Sequence, residues 1–163
     1  MRLKRRLDFR IFFLGLYFVS FFAYLVYGLL PAEASTYAID SHLIIPSIAL
    51  SSGVTKVEIV DGNLPTPETI VGSYSNFDNK TFLFGHSSTV FTNLNKVKVG
   101  DIVLYNNSVY EVASYEITKK SNIDMSVLLG QSSRSSLVLM TCAGEDYGGG
   151  DYSHRLIITA VLR

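Results

Sequence analysis

Leu137-Val138-Leu139-Met140-Thr141-Cys142 and Arg155-Leu156-Ile157-Ile158-Thr159-Ala160-Val161-Leu162 are two apolar runs joined by a polar, glycine-rich segment. Their reading decides the fold. Neither run has helical spacing, both are rich in aliphatic residues, and turn-forming residues separate them, so both read as β-strands. Alternation along the first strand places Met140 and Cys142 on one face, Leu139 and Thr141 on the other. Working outward, similar short runs occur at 43–45, 48–50, 55–60, 81–85, 102–105 and 109–117. Asn106-Asn107-Ser108 reads as a hairpin connection, and Lys98-Val99-Gly100-Asp101 as a turn before a strand. Two short helices are expected, near Val90–Leu94 and over Ile123–Leu129 with Asn122 as its N-cap. This is an all-β pattern, a sandwich or a barrel.

The N-terminal end reads differently. Arg2, Lys4, Arg5, Arg6 and Arg10 stand against the single acid Asp8, and the stretch from Ile11 to Leu30 has no formal charge. Twenty helical residues at ~1.5 Å each reach about 30 Å, the thickness of a bilayer's hydrocarbon core. The basic flank orients the N-terminus to the cytoplasm, Tyr24 and Tyr27 suit the outer interface, and Pro31 ends the helix. The expected organisation is a basic tail over 1–10, a transmembrane helix over 11–30, a spacer over 31–40 and a β-domain over 41–163. The rival reading is a cleaved signal peptide ending at Ala32-Glu33-Ala34, but the apolar run exceeds the ~7–15 residues of an ordinary signal core. Either way the domain is exported.

The chain as a whole is neutral, with 14 Lys+Arg and 14 Asp+Glu. Removing the basic tail leaves a mildly acidic remainder with no basic stripe for nucleic acid. That remainder is large enough for one core and too short for two ordinary domains. A single cysteine has no internal disulfide partner, so Cys142 is a buried inert residue, an intermolecular link or a reactive thiol.

The residues suited to activate a thiol are His86, in Phe84-Gly85-His86-Ser87, and Arg155, which opens the last strand. A thiol with a pKa near ~8.5 needs a neighbouring imidazole or cation to act as a nucleophile at neutral pH. Read bottom-up, His86 is a general acid/base or a packed loop histidine, and Arg155 is a substrate ligand or a solvated strand-end charge. His154 points away from Arg155 by alternation, His42 lies close to the membrane, and Arg134 and Arg163 read as surface charges. No zinc spacing, EF-hand or P-loop is present. Glu145, Asp146 and Asp151 around Gly148-Gly149-Gly150 have the oxygen ligands calcium needs but read better as a solvated loop, so no cofactor is expected.

Taken in order, Phe84-Gly85-His86-Ser87, Leu139-Met140-Thr141-Cys142 and His154-Arg155-Leu156-Ile157-Ile158 resemble the histidine, cysteine and arginine segments of sortases, the membrane-anchored cysteine transpeptidases of bacterial surfaces. Ile44-Ile45-Pro46-Ser47-Ile48, and Phe91-Thr92-Asn93-Leu94 followed by Val99-Gly100-Asp101, are similar to weaker family segments. The resemblance covers about residues 40–163. It implies a closed eight-stranded β-barrel with one or two short helices. It also implies cleavage of a Leu-Pro-x-Thr-Gly-like sorting signal through a thioester on Cys142, and transfer of the surface protein to an amine of a cell-wall precursor or a pilin lysine. His86 is then the acid/base, Arg155 the carbonyl or oxyanion ligand, and Thr141 a hydrogen-bonding contact to substrate. The implied location is the bacterial cell membrane, single-pass, with the catalytic domain outside. The short acidic connection before Arg155 is unsuited to a specificity helix, and the expected lack of a long N-terminal lid or C-terminal domain fits a housekeeping-like or small accessory member better than one with a large regulatory appendage. Two other readings are a sortase-like peptidase that passes the acyl group to water, and a non-enzymatic, membrane-tethered β-domain that binds a surface polymer with Cys142 inert.

Overall fold

The computed structural model describes residues 38–77 and 79–163. The expected tail, transmembrane helix and most of the spacer lie outside the described residues. Eight strands follow in chain order: β1 (Ser41–Ile45), β2 (Leu50–Lys56), β3 (Val71–Phe77), β4 (Lys80–Phe84), β5 (Ile102–Tyr105), β6 (Ser108–Lys119), β7 (Ser136–Asp146) and β8 (Tyr152–Leu162). They close into one barrel in the order β1-β2-β3-β4-β7-β8-β6-β5, with β5 pairing back to β1. The closed eight-stranded barrel implied by the family resemblance is therefore the observed architecture, and it decides between the sandwich and the barrel that the strand pattern allowed; closure leaves no free sheet edge.

Two pairs, β2/β3 and β4/β7, are parallel, and the rest are antiparallel. A parallel pair cannot be joined by a tight turn and requires a crossover connection. The first crossover is segment 57–70. The second carries the chain from β4 through β5 and β6 to a short helix, α1 (Met125–Leu129), before β7 begins.

Alternation sorts the side chains. Leu83, Leu137, Leu139, Leu156, Ile158 and Ala160 point into the barrel, where they join Leu43, Ile45, Val54, Val71 and Val103 in the main core. Phe82, Phe84, Val138 and Ile157 point outward yet are also buried, packed with Val57 against Leu64 of the first crossover and Met125, Leu128 and Leu129 of α1. This explains why β4 and β7 read as continuous apolar runs: both faces are covered. Full burial of each such side chain contributes roughly 1.5–3 kcal/mol, so the outer cluster holds the crossovers in place.

Several local expectations are corrected. The run 48–50 is not a strand of its own: Pro46–Ile48 form a single 3-10 turn, Ala49 takes a left-handed φ of 52°, and β2 starts at Leu50. The strand expected over 55–60 ends at Lys56, beyond which the chain leaves the sheet. β3 was not anticipated. Val90–Leu94 forms turns, with a 3-10 turn only at Leu94–Lys96. The helix near 123–129 begins at Met125, and its N-cap is Asp124, whose carboxylate accepts the Ser126 N–H at 2.9 Å, rather than Asn122. The hairpin between β5 and β6 is a two-residue connection in which Asn106 and Asn107 both take positive φ, 48° and 62°. Asparagine tolerates that region, and such turns match the twist of a hairpin.

Candidate active site

Cys142 is not at the end of its strand. β7 continues to Asp146, and within the β7–β8 ladder Cys142 pairs directly with Arg155. Directly opposed residues share a face, with Cβ atoms ~4.5–5.5 Å apart, so thiol and guanidinium emerge side by side on the outer face. His86 comes from the other neighbour of β7. In the parallel β4–β7 pair the last registered partners are Phe84 and Met140. Two residues further along each chain come His86, past the end of β4, and Cys142, still within β7. The ladder thus sets Cys142 beside Arg155, and His86 follows the strand on the other side of β7.

They line a common groove of about 530 Å³. Phe82, Phe84 and Met140 form its floor, Ile59 and Leu64 of the first crossover one wall, and Met125 and Leu129 of α1 another. Phe82 and Phe84 stack with ring centroids 5.4 Å apart. Behind Phe84 lies Gly72 of β3: a Cβ there would stand 2.7 Å from the Phe84 ring and 3.0 Å from Pro67 Cδ. Glycine at 72 is what lets the aromatic floor seat.

Each side chain has a definite setting. Cys142 is half-buried and reduced. His86 is half-buried, and its carbonyl accepts the Phe91 N–H at 3.0 Å, which closes the turn that follows it. Arg155 donates through Nη1 to the carbonyls of Tyr152 (3.0 Å) and His154 (2.9 Å). A guanidinium has five N–H donors, so these two bonds occupy only part of its fork. Thr141 borders the groove but is buried, and its hydroxyl donates to the Gly85 carbonyl at 2.8 Å. His154 alternates away from Arg155, with Nδ1 2.7 Å from Ser153 Oγ, and His42 lies on β1 with Nε2 2.9 Å from Ser51 Oγ. A hollow of about 790 Å³ near Asp40, His42 and Tyr105 contains neither the thiol nor the guanidinium.

The β7–β8 connection forms a tight turn with no helix. Asp146 accepts the Gly148 N–H at 2.8 Å, and Asp151 pairs with Lys120 at 2.6 Å. That Lys120 contact, with a smaller contribution from Arg155, lowers the Asp151 carboxyl below its ordinary value. Among the described residues no group of three or more His, Cys, Asp or Glu side chains gathers as a metal site.

A thiol, an imidazole and a guanidinium lining one groove of a closed eight-stranded barrel is an arrangement suited to acyl transfer. The sortase domain family matches residues 43–163. This chain belongs to the sortase family. Sortases are cysteine transpeptidases, and the chain is accordingly a sortase-type enzyme, which sets aside the inert polymer-binding reading. No curated protein matches the sequence. Among solved structures it is similar to the lid mutant of sortase A from Corynebacterium diphtheriae, at 21% identity over 82% of this chain and 75% of that one, TM-score 0.63. Sortase A of Listeria monocytogenes shares 16% identity over 77% and 88% of the two chains, TM-score 0.61. Sortase C-1 from Actinomyces oris shares 25% over 80% and 75%, TM-score 0.59. The likeness to these sortases is one of fold.

The groove walls escaped sequence reasoning. Ile59, Leu64, Met125 and Leu129 sit in segments remote from the three motifs, and only topology brings them together. One signal was available: Phe82, Phe84, Val138 and Met140 are apolar at positions that a barrel strand with a solvated outer face fills with polar residues.

Proposed function

We propose that this sortase cleaves a Leu-Pro-x-Thr-Gly-like sorting signal with Cys142 as nucleophile, His86 as general acid/base and Arg155 as ligand for the scissile carbonyl. The observation that carries the reading is the shared groove: Cys142 faces Arg155 across one ladder, and His86, just past the end of β4, lines the same groove. The apolar floor and walls suit the aliphatic and proline side chains of such a signal, and the open groove suits an extended peptide.

In the first half-reaction the Cys142 thiolate attacks the carbonyl carbon of the signal's threonine. The carbonyl π electrons move to oxygen, where the free donors of Arg155 stabilise the developing charge, an effect worth ~10²–10³-fold when one such donor is removed. Collapse breaks the C–N bond, and protonated His86 gives its proton to the leaving amine. A thioester remains on Cys142, and His86 is neutral. In the second half-reaction an amine attacks the thioester carbon, His86 takes its proton, and the thiolate departs. The acceptor is an amine of a cell-wall precursor or a pilin lysine. The apolar stretch 11–30 anchors the enzyme in the bacterial membrane with its N-terminus inside, so that the domain meets surface proteins outside.

Intact-mass spectrometry after incubation with a sorting-signal peptide library tests this reading. A peptide acyl adduct on Cys142, absent in Cys142→Ala, is the expected result, and an adduct that persists in Cys142→Ala overturns it. Adding an amine-bearing peptide then separates transfer from hydrolysis by the mass of the product.

A further inference from the structure

We infer that Thr141 is a positioning residue that sets the place of His86 through the backbone, rather than a contact to substrate; the inference rests on the acyl-transfer reading above. The β4–β7 ladder has its last registered pair at Phe84 and Met140. Immediately beyond it the Thr141 hydroxyl donates to the Gly85 carbonyl at 2.8 Å, across 56 residues of sequence and in a buried setting. A side-chain bond therefore continues the link between the two segments where the ladder stops. The carbonyl it holds belongs to the peptide that joins Gly85 to His86.

The other contacts of this turn leave Thr141 as its side-chain anchor on β7. A Cβ on Gly85 would lie 2.5 Å from Val90 Cγ1, so the segment is pressed against the turn below. The His86 carbonyl accepts N–H groups from Phe91 and Thr89, at 3.0 and 3.3 Å, which fixes the downstream side within the turn itself. The Gly85 carbonyl ties the start of the turn to the strand that carries Cys142 through the Thr141 hydroxyl. A hydroxyl has one proton to donate, and here it goes to Gly85. Alternation also turns Thr141 to the opposite face from Cys142.

The test compares the full chain in detergent as wild type, Thr141→Val, Thr141→Ser and His86→Ala. Two quantities are read: the rate of Cys142 alkylation by iodoacetamide from about pH 5 to about pH 9, and kcat and KM for a peptide that forms the acyl adduct. Misplacement by about 1 Å costs up to ~10²-fold, so Thr141→Val is expected to lower kcat by about 10- to 100-fold with KM within about twofold. Its alkylation profile moves toward that of His86→Ala, while Thr141→Ser keeps the wild-type profile. A raised KM with unchanged kcat in Thr141→Val overturns the inference, as does a wild-type alkylation profile in that variant. If Thr141→Val does not fold, Thr141→Ser still decides: a folded Thr141→Ser that has lost the wild-type profile also overturns it. When His86→Ala alters alkylation and Thr141→Val does not, this inference alone fails. When His86→Ala leaves alkylation unchanged, the role given to His86 fails and takes this inference with it.

Discussion

The two faces of β7 and β8 carry the same kind of residue to different ends. On the inner face Leu137, Leu139, Leu156 and Ile158 are fully or almost fully buried within the main core. On the outer face Val138, Met140 and Ile157 form a second apolar layer, which gives way to Cys142 and Arg155 where the crossovers stop covering it. The inner face is sealed by barrel closure, and the outer face only by connectors laid across it. A period of two therefore divides each strand into a half that faces the barrel core alone and a half that is part second core, part groove, and the cost of a change depends on the parity of its position.

That contrast can be broken by substitution. The largest effect is expected on the outer face without loss of fold: Cys142→Ala abolishes thioester formation in intact-mass spectra, while its denaturant midpoint stays close to wild type. A cooperative loss of stability in this variant would contradict the division. Next is the inner face: Leu139→Ala, three residues away, is expected to cost about 2–5 kcal/mol in equilibrium unfolding while leaving the order of peptide preference unchanged. Gly72→Ala tests the boundary between faces. The new methyl pushes on the Phe84 ring, so the variant should lose about 1–3 kcal/mol from overpacking and raise KM for the peptide, read from steady-state kinetics.

The smallest effect is expected away from both faces. Asp101 accepts the Lys98 N–H at 2.9 Å and the Ser47 hydroxyl at 2.7 Å, and these bonds, the backbone one first, hold its carboxyl below the ordinary 3.8. A depressed folded-state value means that its stabilisation is complete above the unfolded-state value and is lost as pH falls through the folded-state one. Asp101→Asn should therefore flatten the decline in unfolding free energy below about pH 4, measured by denaturant titration at several pH values, with little change in peptide turnover.

Strands with strong side-chain patterns were legible in the sequence, and those shaped by their neighbours were not. β5 and β8 announce themselves by aliphatic content. β3 does not, because Val71-Gly72-Ser73-Tyr74 keeps a small residue where Phe84 must lie, and a glycine in a polar setting reads as a loop. The last residues of β7, from Ala143 to Asp146, give no hydrophobic signal either; they are strand because β8 pairs with them. The run 48–50 misled in the opposite sense, its apolar residues belonging to a turn fixed by Pro46 and the left-handed Ala49. Cys142, His86 and Arg155 stood out as chemical types at the ends of apolar runs, although Cys142 and Arg155 lie inside their strands. The groove around them is a product of long-range topology, which no local pattern encodes.

The two parallel pairs have a further consequence. An all-antiparallel meander could close a barrel with short hairpins and leave its outer surface bare. Here β2 to β3 and β4 to β7 must travel back along the barrel, and parts of both return paths, at Ile59, Leu64, Met125 and Leu129, wall the groove that holds Cys142 and Arg155. The groove therefore takes its floor from the sheet and its walls from connectors. The β7–β8 ladder fixes Cys142 against Arg155 independently of the path those connectors follow.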